Sequence, residues 1–209
     1  MAFLRQNMGL ESGAVLRGRG VELRAPRASD YQAWAALRLE SRSRLEPVEP
    51  LWAEDELSRS AYRRRLAHYA RDAREGTGLA SFIFQASDGA LLGGVTLSNI
   101  RRGVNQSASL GYWIGVPYWG RGHMTSALAV LFPHAFQELK LHRLEAACLP
   151  TNVGSIRVLE RSGFVREGYA RSYLRIAGEW RDHLIFGLVD EHWRQSTRGQ
   201  AALSKEARE

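Results

Sequence analysis

The spacing of apolar residues changes period several times along the chain, and each change marks a different kind of element. Between residues 31 and 74 the apolar side chains are sparse and helically spaced. Tyr31, Trp34 and Leu37 form one run, while Leu66, Ala70 and Ala73 share one side of an arginine-rich second run. The spacing predicts a helix from Ser29, an N-cap with Gln32 three residues on, to about residue 40, and a second helix over 54–74. The stretch between them contains Pro47 and Pro50 and reads as a loop. From residue 78 the period falls to that of strands. Residues 78–86, 91–102 and 106–115 read as an antiparallel meander, turning at 87–90 and near 103–105. The helical period returns at Met124, Leu128, Leu131, Ala135 and Leu139, one buried stripe in which Pro133 is expected to kink or shift the helix. A strand at 142–149, a short helix closing at Gly163 and two strands turning near Ala177–Gly178 complete the pattern. With a first strand at 21–25, the order is β-α-α-β-β-β-α-β-α-β-β. That is an α/β (α+β) layer of helices against a largely antiparallel sheet. Residues 1–14 read as a loose leader, 15–193 as one domain and 194–209 as a polar, frayed tail.

Composition narrows the classes. Apolar residues make up 44% of the 209 positions and charged residues 24%, a balance that suits a folded soluble domain. No apolar run approaches the ~20 residues of a membrane span, and the first residues lack a secretory signal. Cys148 is the sole cysteine, which excludes an internal disulfide and a cysteine-built metal site. A cytoplasmic address fits. The formal net charge is +7, nearly all from arginine, since Lys140 and Lys205 are the only lysines. A solvated basic surface and an anionic partner, either a phosphorylated ligand or an RNA-rich assembly, both accommodate that charge.

The candidate chemistry begins where the strand ending in "GYWIG" gives way to the helix starting near His123. Trp119, Gly120, Arg121 and Gly122 lie in that turn. A helix N-terminus leaves N–H groups unpaired and carries partial positive charge, and glycines let a ligand approach the backbone. Together they describe an anion site suited to a pyrophosphate. A plain change of direction needs the same glycines. The motif is neither a phosphate-binding Walker loop nor a dinucleotide fingerprint. Gly111 and Gly115 bracket the preceding strand, which suggests a bulge or close backbone approach. A strand splayed there exposes N–H groups to an amide-bearing ligand. Pyrophosphate beside amide groups describes coenzyme A.

Residues 109–189 resemble the GNAT superfamily of N-acetyltransferases, and within it the RimJ-type ribosomal-protein-alanine acetyltransferases. The stretches "GYWIGVPYWGRGHMTSAL", "HRLEAACLPTNVGSIRVLERSGF" and "REGYARSYLRIAGEWRDH" carry the resemblance, with "VELRAPRASDYQAWAALR" weaker. In the signature turn only Gly122 meets the defining positions; Trp119 and Met124 replace its polar first and small last residues. The resemblance implies a mixed, mostly antiparallel sheet of six to seven strands, splayed between strands 4 and 5 and flanked by about four helices. It implies acetyl-coenzyme A held by Trp119, Gly120, Arg121, Gly122, His123, Met124 and Thr125, with pantetheine against Trp113 and Ile114, and no metal.

It also gives Asn152 and Ser155 roles beyond helix capping: Asn152 orienting cofactor or water, and Ser155 protonating the leaving thiolate. Arg161 either reaches the adenosine phosphate or is simply exposed. A backbone N–H near Ile114 would stabilise the oxyanion. The general base is not named by the sequence. Glu145 is a candidate; Glu179 and Asp182 read equally as surface charges, and His142 and His183 as structural groups. Cys148 lies in an apolar run and reads as a buried small residue rather than a nucleophile. Tyr169, Tyr173 and Trp180 are either core aromatics or one wall of the acceptor pocket, with residues 42–52 as the other. The expected acceptor is a protein N-terminus, foremost the N-terminal alanine of a ribosomal protein, acting with a monomer or homodimer. A small-molecule amine such as a polyamine or aminoglycoside is the alternative acceptor. An RNA- or ribosome-associated assembly factor without the chemistry is the alternative of another class.

Overall fold

Strand-period alternation over residues 79–114 does yield the meander, and the rest of the sheet grows from its two edges. The computed structural model describes residues 15–196. The expected leader, residues 1–14, lies outside them, as do residues 197–209 of the expected tail. Among the described residues, eight strands form one sheet: β1 (Val15–Gly18), β2 (Val21–Arg24), β3 (Leu79–Gln85), β4 (Leu91–Arg101), β5 (Ser107–Ile114), β6 (Arg143–Cys148), β7 (Val165–Ile176) and β8 (Glu179–Val189). Their spatial order is β1-β2-β3-β4-β5-β6-β8-β7. Only β5 and β6 run parallel.

Strand β1 was not expected. Its four residues, VLRG, carry no alternation to read. It forms because Arg19 and Gly20 both adopt positive φ, 51° and 76°, and fold it back onto β2 in a tight hairpin. The expected splay between the fourth and fifth strands therefore lies between β5 and β6.

Two apolar clusters cover the two faces. On one, α3 (His123–Pro133) and α4 (Val153–Arg161) pack over Leu92, Leu97, Leu144 and Phe186. The whole expected stripe, Met124, Leu128, Leu131, Ala135 and Leu139, is buried there. Pro133 ends the regular helix, and the chain continues as a wider turn in which Leu139 N–H reaches back five residues to His134 C=O at 2.9 Å. On the other face, α1 (Tyr31–Leu45) and α2 (Arg59–Glu75) set Trp34, Leu37 and Tyr62 against Phe82 and Leu91.

Three local expectations need correction. Ser29 does not open α1: it lies in a 3-10 turn, and the Asp30 carboxylate takes the Arg27 N–H at 2.7 Å and both terminal nitrogens of Arg24. Helix α1 runs on to Leu45, with Ser41 and Leu45 buried, and Pro47 then sits in the first turn of a 3-10 segment, where its missing N–H costs nothing. Helix α2 begins at Arg59, capped by Ser58 Oγ on Ala61 N–H at 3.0 Å, with Ala70 exposed and Tyr62 as its buried anchor. At the far end, α5 (Asp190–Gln195) docks Trp193 on Phe136, so the folded part reaches past residue 193.

Candidate active site

Strands β5 and β6 pair only over Ser107–Ser109 and Arg143–Glu145, then separate. Leu110–Ile114 and Ala146–Cys148 consequently face each other across a cavity of about 920 Å³. Gly115 N–H still bonds to Leu92 C=O on β4. Alternation along the strand then turns the Ile114 N–H toward the gap, where β6 no longer supplies a partner.

The turn that follows is pinned from the side of α1. A Cβ on Gly115 would lie 2.3 Å from the Leu37 side chain, so only glycine permits this approach, and Val116 N–H donates to Ser41 Oγ at 2.9 Å. Trp119 folds back and donates its indole N–H to Ile114 C=O at 2.7 Å. Gly120 and Gly122 then adopt φ of 73° and 79°, and Gly122 caps α3 without any side-chain bond. The first N–H groups of α3 face an open cradle: a Cβ on either glycine would meet nothing within 4 Å. That geometry fits a diphosphate.

On the opposite wall, Asn152 Oδ1 caps α4 by accepting Ser155 N–H at 3.0 Å, which fixes Ser155 in the first turn. Ser155 Oγ lies 2.8 Å from the Tyr112 hydroxyl, which is also 3.3 Å from Ser155 C=O. Burial pushes the Tyr112 phenol well above the ordinary tyrosine value, with the Ser155 bond acting the other way, so the group is neutral. Cys148 lines the same wall. Burial raises its thiol, again opposed by Ser155, and the protonated thiol is a poor nucleophile.

Trp113, Ile114, Trp119, Gly120, Gly122, His123, Met124, Thr125, Asn152, Ser155 and Arg161 all line this one cavity. Other expected residues lie outside its lining. Arg121 is exposed and is not part of the lining. Glu145 follows Leu144 on β6, so its side chain takes the face opposite the Leu144–Ala146–Cys148 row. There it pairs at 3.0 Å with Arg143, which also holds Glu167. Tyr169, Tyr173 and Trp180 are exposed, while residues 174 and 176 pair with 181 and 179 and so share the face of His183. Leu174 and Ile176 line the cavity instead, with His183 of β8. Glu179 pairs with Arg181 at 3.1 Å, and Asp182 accepts from the Tyr169 hydroxyl at 2.6 Å. The chain at 42–52 does supply the facing wall, from Ser43 to Glu49, and Ala177 N–H at the β7–β8 turn donates to Glu49 C=O at 2.9 Å.

Sequence reasoning passed over Tyr112 and Glu49, and read His183 as a structural group. His183 is buried at 3% exposure. Its Nδ1 lies 3.0 Å from Arg181 C=O, and a carbonyl only accepts, so Nδ1 carries the proton. Nε2 makes no hydrogen bond among the described residues.

The family description "Acetyltransferase (GNAT) domain" matches residues 21–165. The chain belongs to the GNAT acetyltransferase family. As a GNAT acetyltransferase it is similar to the probable N-acetyltransferase YjcK of Bacillus subtilis (strain 168), 36% identical over 176 residues, 84% of this chain and 97% of that protein. It is also similar to the ribosomal protein uS5-alanine N-acetyltransferase of Escherichia coli (strain K12), 33% identical over 78% of this chain and 86% of that one. Among solved structures, Mycobacterium smegmatis RimJ in complex with CoA-disulfide superposes with a TM-score of 0.81 at 34% identity, covering 91% of each chain. The GNAT enzyme described here is therefore an N-acetyltransferase, and its described residues form one eight-stranded sheet.

Proposed function

We propose that this enzyme transfers acetyl from acetyl-coenzyme A to the α-amine of a protein N-terminus, with the N-terminal alanine of a ribosomal protein as its acceptor in the cytoplasm. One observation carries the reading: a backbone-built anion cradle at the head of α3 opens onto the same cavity as the Ser155–Tyr112 pair. The similarity to a uS5-alanine acetyltransferase over 78% of the chain supports the acceptor.

The N–H groups from Gly120 to Thr125 hold the diphosphate at the α3 N-terminus. Trp113 and Ile114 flank the pantetheine arm, and the inward Ile114 N–H bonds the thioester oxygen as charge develops on it. Ser155 Oγ gives a proton to the departing thiolate. Alone, Ser155 would become an alkoxide far more basic than a thiolate of pKa ~8.5. The neutral Tyr112 hydroxyl, 2.8 Å away, hydrogen-bonds to Ser155 Oγ and stabilises the negative charge that develops there as the proton leaves. His183 Nε2, directly or through a water, takes the proton of the attacking amine. An α-amine with pKa ~8 is neutral in useful amounts near pH 7, whereas a lysine amine at ~10.4 is not.

The test is coenzyme A release from acetyl-coenzyme A with peptides beginning in alanine, serine or methionine and with a peptide whose only free amine is a lysine. Fastest turnover on the alanine peptide is expected. Intact-mass analysis of ribosomal proteins from cells with and without the gene then identifies the acceptor. Loss of one acetyl group from an N-terminus is the expected change, and unchanged masses throughout sink the ribosomal assignment.

A further inference from the structure

Along the β7–β8 hairpin the two strands do not match residue for residue. Ala170 pairs with His183 and Leu174 with Arg181, so Arg171, Ser172 and Tyr173 stand opposite the single residue Asp182. A bulge of this kind interrupts the ladder and re-aims side chains. Its middle residue, Ser172, has φ of 46°, a conformation that a residue with a Cβ keeps only when its surroundings enforce it.

The enforcing group is Asp182. One oxygen of its carboxylate accepts the Ser172 N–H at 2.8 Å, a main-chain donor that lies outside the paired register. The other accepts the Tyr169 hydroxyl at 2.6 Å. The Tyr169 bond, and after it the Ser172 bond, hold the Asp182 carboxyl below its ordinary range, so the group is ionised and only accepts. Directly after Ser172, the Tyr173 ring stands edge-on to the His183 imidazole, with centroids 5.8 Å apart and planes at 70°. Tyr173 is outside the cavity lining, whereas His183 is within it. The imidazole is thus restrained twice. Arg181 C=O holds one ring atom, Nδ1, and the tyrosine restrains the plane.

We infer that Asp182 is a positioning residue for His183: by bracing the bulge at Ser172 it sets Tyr173 against the imidazole and keeps that ring in the orientation in which it lines the cavity. The inference rests on the reading of His183 as the base that takes the amine proton. A reacting group misplaced by about 1 Å can cost ~10²-fold in rate, so a brace remote from the chemistry has a measurable effect on it.

Acetyl transfer to an alanine-led peptide is to be measured for Asp182→Ala, Asp182→Asn, Tyr173→Ala, Tyr173→Phe and His183→Gln. Coenzyme A binding by calorimetry and the His183 ring-proton resonances by NMR are to be followed alongside. Asp182→Ala and Tyr173→Ala are each expected to lower kcat by at least ~10-fold, with peptide KM and coenzyme A affinity unchanged. Asparagine keeps an oxygen for the Ser172 N–H and phenylalanine keeps the ring, so Asp182→Asn and Tyr173→Phe are expected to restore most of the rate. The double alanine variant is expected to lose no more than the worse single one, because both changes act through one imidazole. The His183 resonances are expected to move in Asp182→Ala, where the tyrosine is still present, and to hold in Asp182→Asn.

An unchanged kcat in a folded Asp182→Ala variant overturns the inference and leaves His183 as the base. So does a rate in Asp182→Asn as low as in Asp182→Ala. A raised peptide KM with kcat intact in Tyr173→Ala makes that ring a wall of the acceptor site and likewise overturns the inference. Full turnover by His183→Gln overturns the base reading, and the positioning role falls with it. Should Asp182→Ala not fold, Tyr173→Ala decides, and an unchanged kcat there overturns the inference.

Discussion

The two ends of the candidate active-site cleft are built from different materials. The end at the head of α3 is made of main chain: two glycines at positive φ, the first N–H groups of a helix, and a strand whose partner has turned away. The rest of the cleft is made of side chains: the Arg38–Glu49 pair between two tryptophans, the Ser155–Tyr112 contact, and His183 held by a carbonyl. A main-chain site depends on conformation and tolerates changes of side chain. A side-chain site depends on each group meeting its partner, and removing one strands the other.

The sharpest test of that contrast is Arg38→Ala. It leaves the Glu49 carboxylate half-buried without its cation, and a loss of about 3–5 kcal/mol in denaturant unfolding is expected. A loss below 1 kcal/mol breaks the idea that paired side chains hold this end. Next comes Ser155→Ala, for which kcat is expected to fall ~10²-fold while coenzyme A affinity holds. A matching loss of affinity would mean that Ser155 binds rather than reacts.

At the main-chain end, Gly122→Ala forces a side chain into φ of 79° at a cost of about 1–2 kcal/mol, read as weaker coenzyme A binding by calorimetry. Arg121→Ala, a change of full charge but not of conformation, is expected to weaken binding by less than ~1 kcal/mol and only at low salt. If Arg121 outweighs Gly122, the cradle is held by side chains after all.

The smallest effect lies away from the cleft. Arg143 bonds hold the Glu167 carboxyl below its ordinary range. Because the folded value is depressed, the stabilisation is complete above the unfolded pKa of ~4.3 and is lost as pH falls through the folded value. The stability gap between the native protein and Arg143→Gln is therefore expected to be constant from pH 5 to 7 and to close toward pH 3.

The same division explains what was legible beforehand. The cradle residues Gly120–Thr125 could be named from the sequence because a glycine turn into a helix is a local pattern, written in consecutive residues. Asn152 and Ser155 were legible for the same reason, as a cap and a first-turn hydroxyl. Arg121 was the exception: the pattern gives the turn but not the direction of a long side chain. Glu145 was misplaced because a strand residue's face depends on pairing register. Tyr169, Tyr173 and Trp180 were aligned with the cleft by neighbourhood, but strand alternation places Leu174 and Ile176, not these three, on the face of β7 shared with His183.

By itself, then, the sequence determined the order of elements, the buried stripe of α3, the sheet's largely antiparallel character and the conformation of the glycine turn before α3, since each follows from periodicity or from what glycine and proline permit within a few residues. Tertiary structure alone decided which distant groups meet: Tyr112 with Ser155, forty-three positions apart, Arg38 with Glu49, and the β7–β8 turn with the wall at Glu49. Those contacts arise only once α1 is packed on one face of the sheet and α4 on the other, and no local spacing encodes them.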